Sequence, residues 1–374
     1  MASLKKFVPF NYQIEGTMKK VSYSKSFVIF LILLIGFNIN RAQESQTAPY
    51  KTEEINIELN QFNIWANLYI PSAGDKHPLI IFVAGDGNSS REESFLMLKS
   101  YGYFDLFIED GFAVLIDDKP GSGKSTGKFT RGSLFHERAA IVAKWIEKLK
   151  NHSSIISEQI GLAGGSQAGY VMPLVCEMNE GVAFMICQSC PAMNSINQSA
   201  FLIKQQTMCA GQNSEDAEKA YKYYIQSCMA DNYQEYLEAA TFLAANPIVK
   251  ALGWDYIQKK EEFTPIKSNS ESLFDPTAIF KKIRIPILAM YGTKDKLIDP
   301  VQGFEEFKDI LKETGNKLSR VELIPDADHM LTIAETGCLS EMMQKRQKKE
   351  IRLCEEASNI VTGWLKTLKA YLNN

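Results

Sequence analysis

Histidine is scarce in this sequence, which has four histidines scattered among 374 residues. The pattern H-E-x-x-H does not occur, so the clustered ligands of a typical zinc hydrolase are absent. Basic residues are not in excess either: the net charge is −3, whereas nucleic-acid binding calls for a basic face or stripe. We therefore expect no metal, no other cofactor and no nucleic-acid partner.

The sequence also lacks an apolar run near its N-terminus that reaches the ~20 residues of a membrane-spanning helix. Phe27–Phe37 is an apolar run of eleven residues, preceded by Lys19, Lys20 and Lys25 and followed by polar residues. This arrangement is typical of a secretory signal peptide. We interpret residues 1–43 as that peptide, with Met18 as an alternative start, and predict a periplasmic or extracellular protein without stable membrane insertion after cleavage.

A complete phosphate-binding loop is missing too. The stretch DDKPGSGKST contains Gly123-Lys124-Ser125, but the first glycine of G-x-x-x-x-G-K-[ST] should stand where Asp118 stands. A carboxylate at the mouth of a phosphate nest has the wrong charge. We therefore expect a loop with another role, and under a nucleotide-binding hypothesis Lys124 would be essential.

Seven cysteines are present, which is an odd number for an exported chain. Connectivity cannot be deduced from sequence, and the pairs to test are Cys209 with Cys228 and Cys338 with Cys354. The Cys187–Cys190 segment has C-x-x-C spacing but ends an apolar run. We interpret its cysteines as buried thiols at the end of a strand rather than a redox pair.

Short apolar runs alternate with helical patterns along most of the chain. The runs that favour strands are residues 55–59, 62–70, 78–85, 112–117, 159–164, 182–187, 285–292 and 320–325, of which the first two resemble a hairpin at a sheet edge. Helical patterns cover residues 94–109, 136–150, 167–178, 301–313 and 355–372. This alternation predicts an α/β fold whose mostly parallel sheet of about eight strands has helices on both faces.

One segment interrupts the alternation. Residues 193–280 contain no convincing strand and read as successive helices. We predict a helical cap inserted into a core made of residues 44–192 and 281–374.

The strand at 159–164 leads directly into Gly164-Gly165-Ser166-Gln167-Ala168 and then into a helical pattern. A serine among small residues on a strand-to-helix turn is typical of the nucleophile elbow G-x-S-x-G, although Ala168 replaces the second glycine. Ser166 is therefore the predicted nucleophile. A serine that merely caps the helix is the structural alternative.

A nucleophilic serine needs a base and an acid that orients the base. Only His329 and, less favourably, His136 follow strands in the direction that brings them to the sheet edge of Ser166. The acid should lie between serine and histidine in chain order, which leaves Asp295 and Asp299. We choose Asp295, because Asp299 precedes Pro300 and suits the cap of the next helix.

The oxyanion requires two backbone N–H donors. The residue after the nucleophile, Gln167, supplies one, and the loop Gly85-Asp86-Gly87 after the strand at 78–85 supplies the other. We assign the second donor to the backbone N–H of Asp86.

With these motifs in place, the chain resembles the α/β-hydrolase superfamily over nearly all of residues 52–374. It is most similar to the exported bacterial branch related to dienelactone hydrolases, acyl-thioester hydrolases and prolyl-oligopeptidase-type peptidases. The resemblance rests on stretches such as PLIIFVAGDG, GLAGGSQAG and IPDADHML. It implies the triad Ser166, Asp295 and His329, and it implies that DKPGSGKSTG is the loop after the fourth strand, shaping the wall of the site.

The predicted function is hydrolysis of carboxylic esters, or of another small acyl substrate, through an acyl-enzyme. An aminopeptidase or acyl-peptidase and a thioesterase are the alternatives within the same chemistry. A non-catalytic binding protein on the same fold is the alternative outside it.

Overall fold

The computed structural model describes residues 49–59, 62–129, 134–269 and 271–373. The predicted signal peptide, residues 1–43, and the alternative start at Met18 lie outside the described residues. Within the described ranges, no helix is both long enough and apolar enough to cross a membrane.

Eight strands form one sheet in the described part of the chain. They are β1 (Tyr50–Leu59), β2 (Phe62–Pro71), β3 (His77–Val83), β4 (Ala113–Asp117), β5 (Ile155–Gly165), β6 (Phe184–Gln188), β7 (Ile287–Gly292) and β8 (Arg320–Ile324). Their spatial order is β1-β2-β4-β3-β5-β6-β7-β8. Strand β2 pairs antiparallel with β1 and β4, and the other neighbours are parallel, so both the parallel sheet and the edge hairpin are confirmed.

Helices cover both faces of this sheet. The helices outside the segment 193–280 are α1 (Arg91–Tyr101), α2 (Tyr103–Glu109), α3 (Phe135–Leu149), α4 (Ala168–Met178), α10 (Pro300–Thr314), α11 (Leu339–Lys348) and α12 (Glu355–Leu372). Side chains of α3, α4 and α10 belong to the core on one face, and those of α1, α2 and α12 to the core on the other.

Strand β3 shows why its apolar run is continuous. Leu79, Ile81 and Val83 join the core on one face, while Ile80 and Phe82 join the core on the other. Successive side chains of a strand point to opposite faces, so a strand covered on both faces needs an apolar residue at every position. Each such side chain contributes about 1.5–3 kcal/mol when fully buried.

The apolar stripe predicted on the helix after β4 is confirmed. It is buried on α3 and consists of Ala139, Ile141, Val142, Trp145, Ile146 and Leu149. The indole Nε1 of Trp145 also donates a hydrogen bond to Asp117 Oδ2 at 3.1 Å. This contact joins α3 to the end of β4.

The pattern at residues 94–109 was expected to be one helix and is two. Gly102 separates α1 from α2 and has a φ of 92°, in the left-handed region that glycine adopts without a steric penalty. The helix α11 was not predicted, because its sequence is mostly polar and it buries no residue.

Helices occupy the segment between β6 and β7. They are α5 (Ser195–Cys209), α6 (Ser214–Met229), α7 (Tyr233–Ala244), α8 (Pro247–Ala251) and α9 (Thr277–Phe280). The first four begin after an asparagine whose side chain accepts a first-turn N–H: Asn194, Asn213, Asn232 and Asn246. Such caps satisfy N–H groups that a helix leaves unpaired and explain where these helices start.

Neither of the two cysteine pairs put forward for testing forms in the structure. Cys209, at the end of α5, pairs with Cys338, which precedes α11, while Cys228 and Cys354 are buried free thiols. The two partners are 129 residues apart, so their approach depends on how α5 packs on the core. The prediction for the Cys187–Cys190 segment is confirmed, because both of its thiols are free and buried.

Candidate active site

Ser166 lies at a sharp turn where the central strand β5 ends and α4 begins. Its φ is 56°, a left-handed conformation that is uncommon for a residue with a side chain. Its N–H donates to Gln188 O at the end of β6, and its carbonyl accepts from Gly169 N–H. The turn is thus the strained strand-to-helix elbow that the G-x-S-x-G pattern predicts.

The small residues around Ser166 have a steric reason. A Cβ at Gly164 would lie 2.4 Å from Val83 O and 2.6 Å from the Cβ of Ala168. Position 164 therefore accepts only glycine, and the absent side chain leaves room for the alanine at 168. Ala168, which replaces the usual second glycine, is therefore accommodated because residue 164 has no side chain.

Asp295 and His329 meet although they are 34 positions apart in the chain. His329 Nδ1 lies 2.8 Å from Asp295 Oδ2, and both side chains are buried. The other carboxylate oxygen, Oδ1, accepts from the N–H groups of Leu297 and Ile298. The carboxylate is thereby fixed in the loop after β7, with one oxygen directed at the imidazole.

His329 lies in the loop after β8, and residues at the end of β6 hold it in place. The carbonyl of His329 accepts hydrogen bonds from Gln188 Nε2 at 2.9 Å and from Ser189 Oγ at 3.2 Å. Burial lowers the pKa of His329, but the negative charge of Asp295 and its hydrogen bond more than offset this, so the pKa is raised above its ordinary value.

The less favoured candidates for the acid and the base, Asp299 and His136, have other partners in the structure. Asp299 is the N-cap of α10 and accepts from the N–H groups of Val301 and Gln302, and Pro300 is the first residue of that helix, as predicted. His136, at the start of α3, lies with its Nδ1 3.3 Å from Glu271 Oε1.

Ser166 and His329 line one cavity of about 1010 Å³. The loop Gly85-Asp86-Gly87 and Gln167, which hold the predicted oxyanion donors, line it as well. One part of the wall comes from α1, α2 and the end of β3, and another from α5, α6 and the segment that follows α8. Four of the five predicted site residues therefore border the same space, and the fifth, Asp295, is joined to it by its hydrogen bond to His329.

Two basic residues that the sequence did not single out lie behind this loop. Lys119 Nζ donates to Gly85 O and, at 2.7 Å, to Gly87 O. Arg138 donates to Ala84 O and, at 2.7 Å, to Gln167 Oε1. Arg138 lies on the buried stripe of α3, and a charged residue on an apolar stripe is a signal that could have revealed a buried partner.

The loop that resembles a phosphate-binding loop has a structural role around Asp118. This buried carboxylate accepts from Arg91 N–H and Nη1 and from Lys124 N–H. Lys124 Nζ pairs with Glu54 on β1. The loop does follow the fourth strand. None of its described residues lines the cavity, so it shapes the wall only indirectly, through the hydrogen bonds of Lys119 to the carbonyls of Gly85 and Gly87.

A metal-binding cluster is not found among the described residues, where no group of three or more His, Cys, Asp and Glu side chains is placed to hold an ion.

Similarity to solved structures supports the same architecture. The chain is similar to DcsB, solved in complex with its substrate analogue, at 17% identity and a TM-score of 0.50 over 86% of this chain and 100% of that one. It is also similar to proline iminopeptidase from Mycobacterium smegmatis, at 13% identity and a TM-score of 0.51 over 85% of this chain and 99% of that one. At such identities the likeness concerns the fold alone, which is the α/β-hydrolase fold.

A family assignment comes from the sequence itself. No protein of curated function matches the chain. Residues 60–320 of the 374, however, match the profile of the family described as X-Pro dipeptidyl-peptidase (S15 family). Since this match extends from β2 to β8 and covers the elbow and the aspartate loop, the chain belongs to the S15 family of the serine hydrolases with the α/β-hydrolase fold.

Proposed function

We propose that the protein is a serine hydrolase that cleaves carboxylic esters, with Ser166 as nucleophile, His329 as base and Asp295 as the residue that orients the base. The observation that carries this proposal is the buried hydrogen bond between His329 and Asp295, because His329 borders the same cavity as Ser166. A buried Asp–His pair whose histidine lines the same cavity as a serine on a nucleophile elbow supports the assignment of these residues to a Ser-His-Asp triad.

The reaction starts with proton transfer. His329 Nδ1–H donates to Asp295, so Nε2 is the nitrogen that takes the proton of Ser166 Oγ as this oxygen attacks the substrate carbonyl. The backbone N–H groups of Asp86 and Gln167 stabilise the oxyanion. The imidazolium then protonates the leaving alcohol, and water, activated by the same nitrogen, hydrolyses the acyl-enzyme.

The lining of the cavity supports an ester with an apolar acyl or alkyl group. Near α1 and α2 it carries Met97, Leu98, Tyr101, Tyr103 and Phe107, and on the side of α5, α6 and the segment after α8 it carries Leu202, Tyr224, Leu252 and Trp254. Its volume of about 1010 Å³ lies at the upper end for small-molecule sites. Ester cleavage also asks less of the site than amide cleavage, because the alcohol is a better leaving group than an amine.

Dipeptide release from X-Pro peptides is the second candidate function, favoured by membership of the S15 family. A dipeptidyl-peptidase must bind the free ammonium group of its substrate, and the acidic side chains along the cavity belong to Asp86 and Glu93. Both have partners: Asp86 accepts from Gln167 Nε2, and Glu93 accepts from Ser90 in the capping box of α1. These partners weaken the case for an ammonium site and favour the ester.

The test compares two chromogenic substrate classes on the purified protein and on Ser166→Ala. We expect turnover of p-nitrophenyl esters with short to medium acyl chains and loss of that turnover in Ser166→Ala. Turnover of X-Pro p-nitroanilides alone would replace the ester proposal with the peptidase. If a fluorophosphonate did not label Ser166 and neither substrate class were hydrolysed, the protein would be a binding protein on a hydrolase fold.

We further propose that the protein works outside the cytoplasm. The Cys209–Cys338 disulfide supports this, because disulfides persist mainly in oxidising compartments. Fractionation of expressing cells, with N-terminal sequencing of the product, tests both the location and the predicted cleavage near residue 43. Recovery of the uncleaved chain in the cytoplasm would contradict the proposal.

A further inference from the structure

Lys119 and Arg138 are buried basic residues that do not border the cavity. Lys119 is 3% exposed and Arg138 is 7% exposed. Neither has a carboxylate within salt-bridge distance among the described residues; their hydrogen bonds go to carbonyl oxygens and to one side-chain amide. Burying two basic groups without a salt-bridged carboxylate costs free energy, which their hydrogen bonds to these oxygen atoms must offset.

Their hydrogen bonds converge on the two residues assigned as oxyanion donors. Lys119 binds the carbonyls of Gly85 and Gly87, on either side of Asp86. Arg138 binds the carbonyl of Ala84 and the side-chain oxygen of Gln167. Gln167 Nε2 completes this hydrogen-bond network by donating to Asp86 Oδ1 at 3.1 Å.

This network fixes the direction of the Asp86 amide and ties its loop to the side chain of Gln167. A carbonyl held by a buried donor sets the plane of its peptide, and the N–H of the next residue lies in that same plane. Lys119, by holding Gly85 O, therefore sets where the N–H of Asp86 points. The amine has enough donors for both carbonyls whether protonated or neutral, although burial and the nearby charge of Arg138 lower its pKa to about 6.

We propose that Lys119 and Arg138 are positioning residues that hold the backbone N–H groups of Asp86 and Gln167 at the spacing an oxyanion requires. This inference rests on the proposed hydrolase function. Loss of one oxyanion donor lowers kcat by about 10²–10³-fold in serine hydrolases, and a displacement of about 1 Å has an effect of the same order. Neither side chain borders the substrate, so ground-state binding should change little.

The experiment compares Lys119→Met with the wild type and Ser166→Ala on p-nitrophenyl butyrate. Methionine keeps the length of the side chain and removes its hydrogen bonds. We expect kcat per fluorophosphonate-titrated active site to fall about 100-fold, while KM stays within about twofold. An alkyl trifluoromethyl ketone, to whose carbonyl Ser166 Oγ adds reversibly to form an oxyanion, should lose affinity by a similar factor.

Lys124→Met is the matched control, since Lys124 lies in the same loop but its exposed amine pairs with Glu54 on β1. It should keep wild-type kcat and ketone affinity. If Lys119→Met does not fold, Gln167→Met is the second variant: it keeps the backbone amide but breaks the links to Asp86 and Arg138. We expect its kcat to fall about tenfold or more, again with little change in KM.

Wild-type kcat and ketone affinity in Lys119→Met, or in Gln167→Met where that variant replaces it, would overturn the inference and leave the hydrolase intact. A change in kcat or KM of Lys119→Met that the control Lys124→Met reproduces would overturn the inference as well. A wild-type protein no more active than Ser166→Ala would overturn the proposed function and this inference together.

Discussion

Asp295→Asn is the substitution that tests the site most severely. In the structure, Asp295 Oδ1 accepts two backbone N–H groups, from Leu297 and Ile298, and Oδ2 accepts from His329 Nδ1. An asparagine has only one side-chain oxygen. Because two N–H groups require an acceptor at the Oδ1 position, the oxygen will lie there and the NH₂ group will face His329.

The consequence is a change of tautomer. Facing an N–H donor, His329 Nδ1 must accept, so the proton moves to Nε2, and Nε2 can no longer take a proton from Ser166. The corresponding substitution in serine proteases with the same triad lowers kcat about 10⁴-fold for this reason. We expect a loss of the same order, equivalent to about 5.5 kcal/mol of transition-state stabilisation.

The assay is steady-state turnover of p-nitrophenyl butyrate by Asp295→Asn and by Asp299→Asn. Asp299 accepts two N–H groups as a helix cap, and asparagine caps a helix equally well, so this control should retain wild-type turnover. An Asp295→Asn variant that is folded and keeps more than about a tenth of wild-type kcat would refute the assignment. Loss of activity in Asp299→Asn instead would transfer the role to that residue.

The remaining predictions concern pH, the disulfide and the elbow. Since His329 must be neutral to act as base and its pKa is raised, kcat/KM should fall as pH drops through an apparent pKa above that of ordinary histidine; a limb at or below the ordinary value would contradict this. The same shift stabilises the folded state at low pH, and this contribution should disappear in denaturant titrations as pH rises through the raised pKa. Cys209→Ser opens a link that spans 129 residues and should lower Tm by roughly 5–10 °C in thermal melts, with no further change on adding a reductant, whereas an unchanged Tm would mean that the link does not constrain the chain. Ser166→Gly should be more stable to urea than Ser166→Ala by about 0.5–1 kcal/mol, because only glycine relieves the left-handed φ of 56°, and equal stabilities would show that the turn carries no strain.

Features set by neighbouring residues were predictable from the sequence. The elbow around Ser166 depends on glycines next to it, and the cap at Asp299 depends on the proline that follows. The continuous apolar run of β3 and the apolar stripe of α3 are likewise predictable from local sequence patterns. His329 and Asp295 could be placed at one edge because parallel strands end on the same side of a sheet.

Features set by packing between distant segments were not predictable. Cys209 meets Cys338 because α5 packs near the start of α11, and no local pattern encodes that approach. Lys119 stands in a stretch whose glycines and Lys124 suggest phosphate binding, yet its partners are carbonyls in the loop after β3. The role of a buried lysine depends on which backbone lies beside it, and that is known only once the fold is known.

The composite wall of the cavity has a consequence for how this enzyme can diverge. The proposed catalytic residues lie on loops at the end of the sheet, whereas cavity residues such as Leu202, Tyr224 and Trp254 come from the helical segment between β6 and β7. Substitution of these lining residues can reshape the pocket without changing the loops that carry the proposed catalytic residues, whereas Gln198 and Gln206 of α5 donate to carbonyls of the aspartate loop and should be left in place. A library confined to the codons of these lining residues can therefore search for new substrates while the elbow, the aspartate loop and the histidine loop are inherited unchanged.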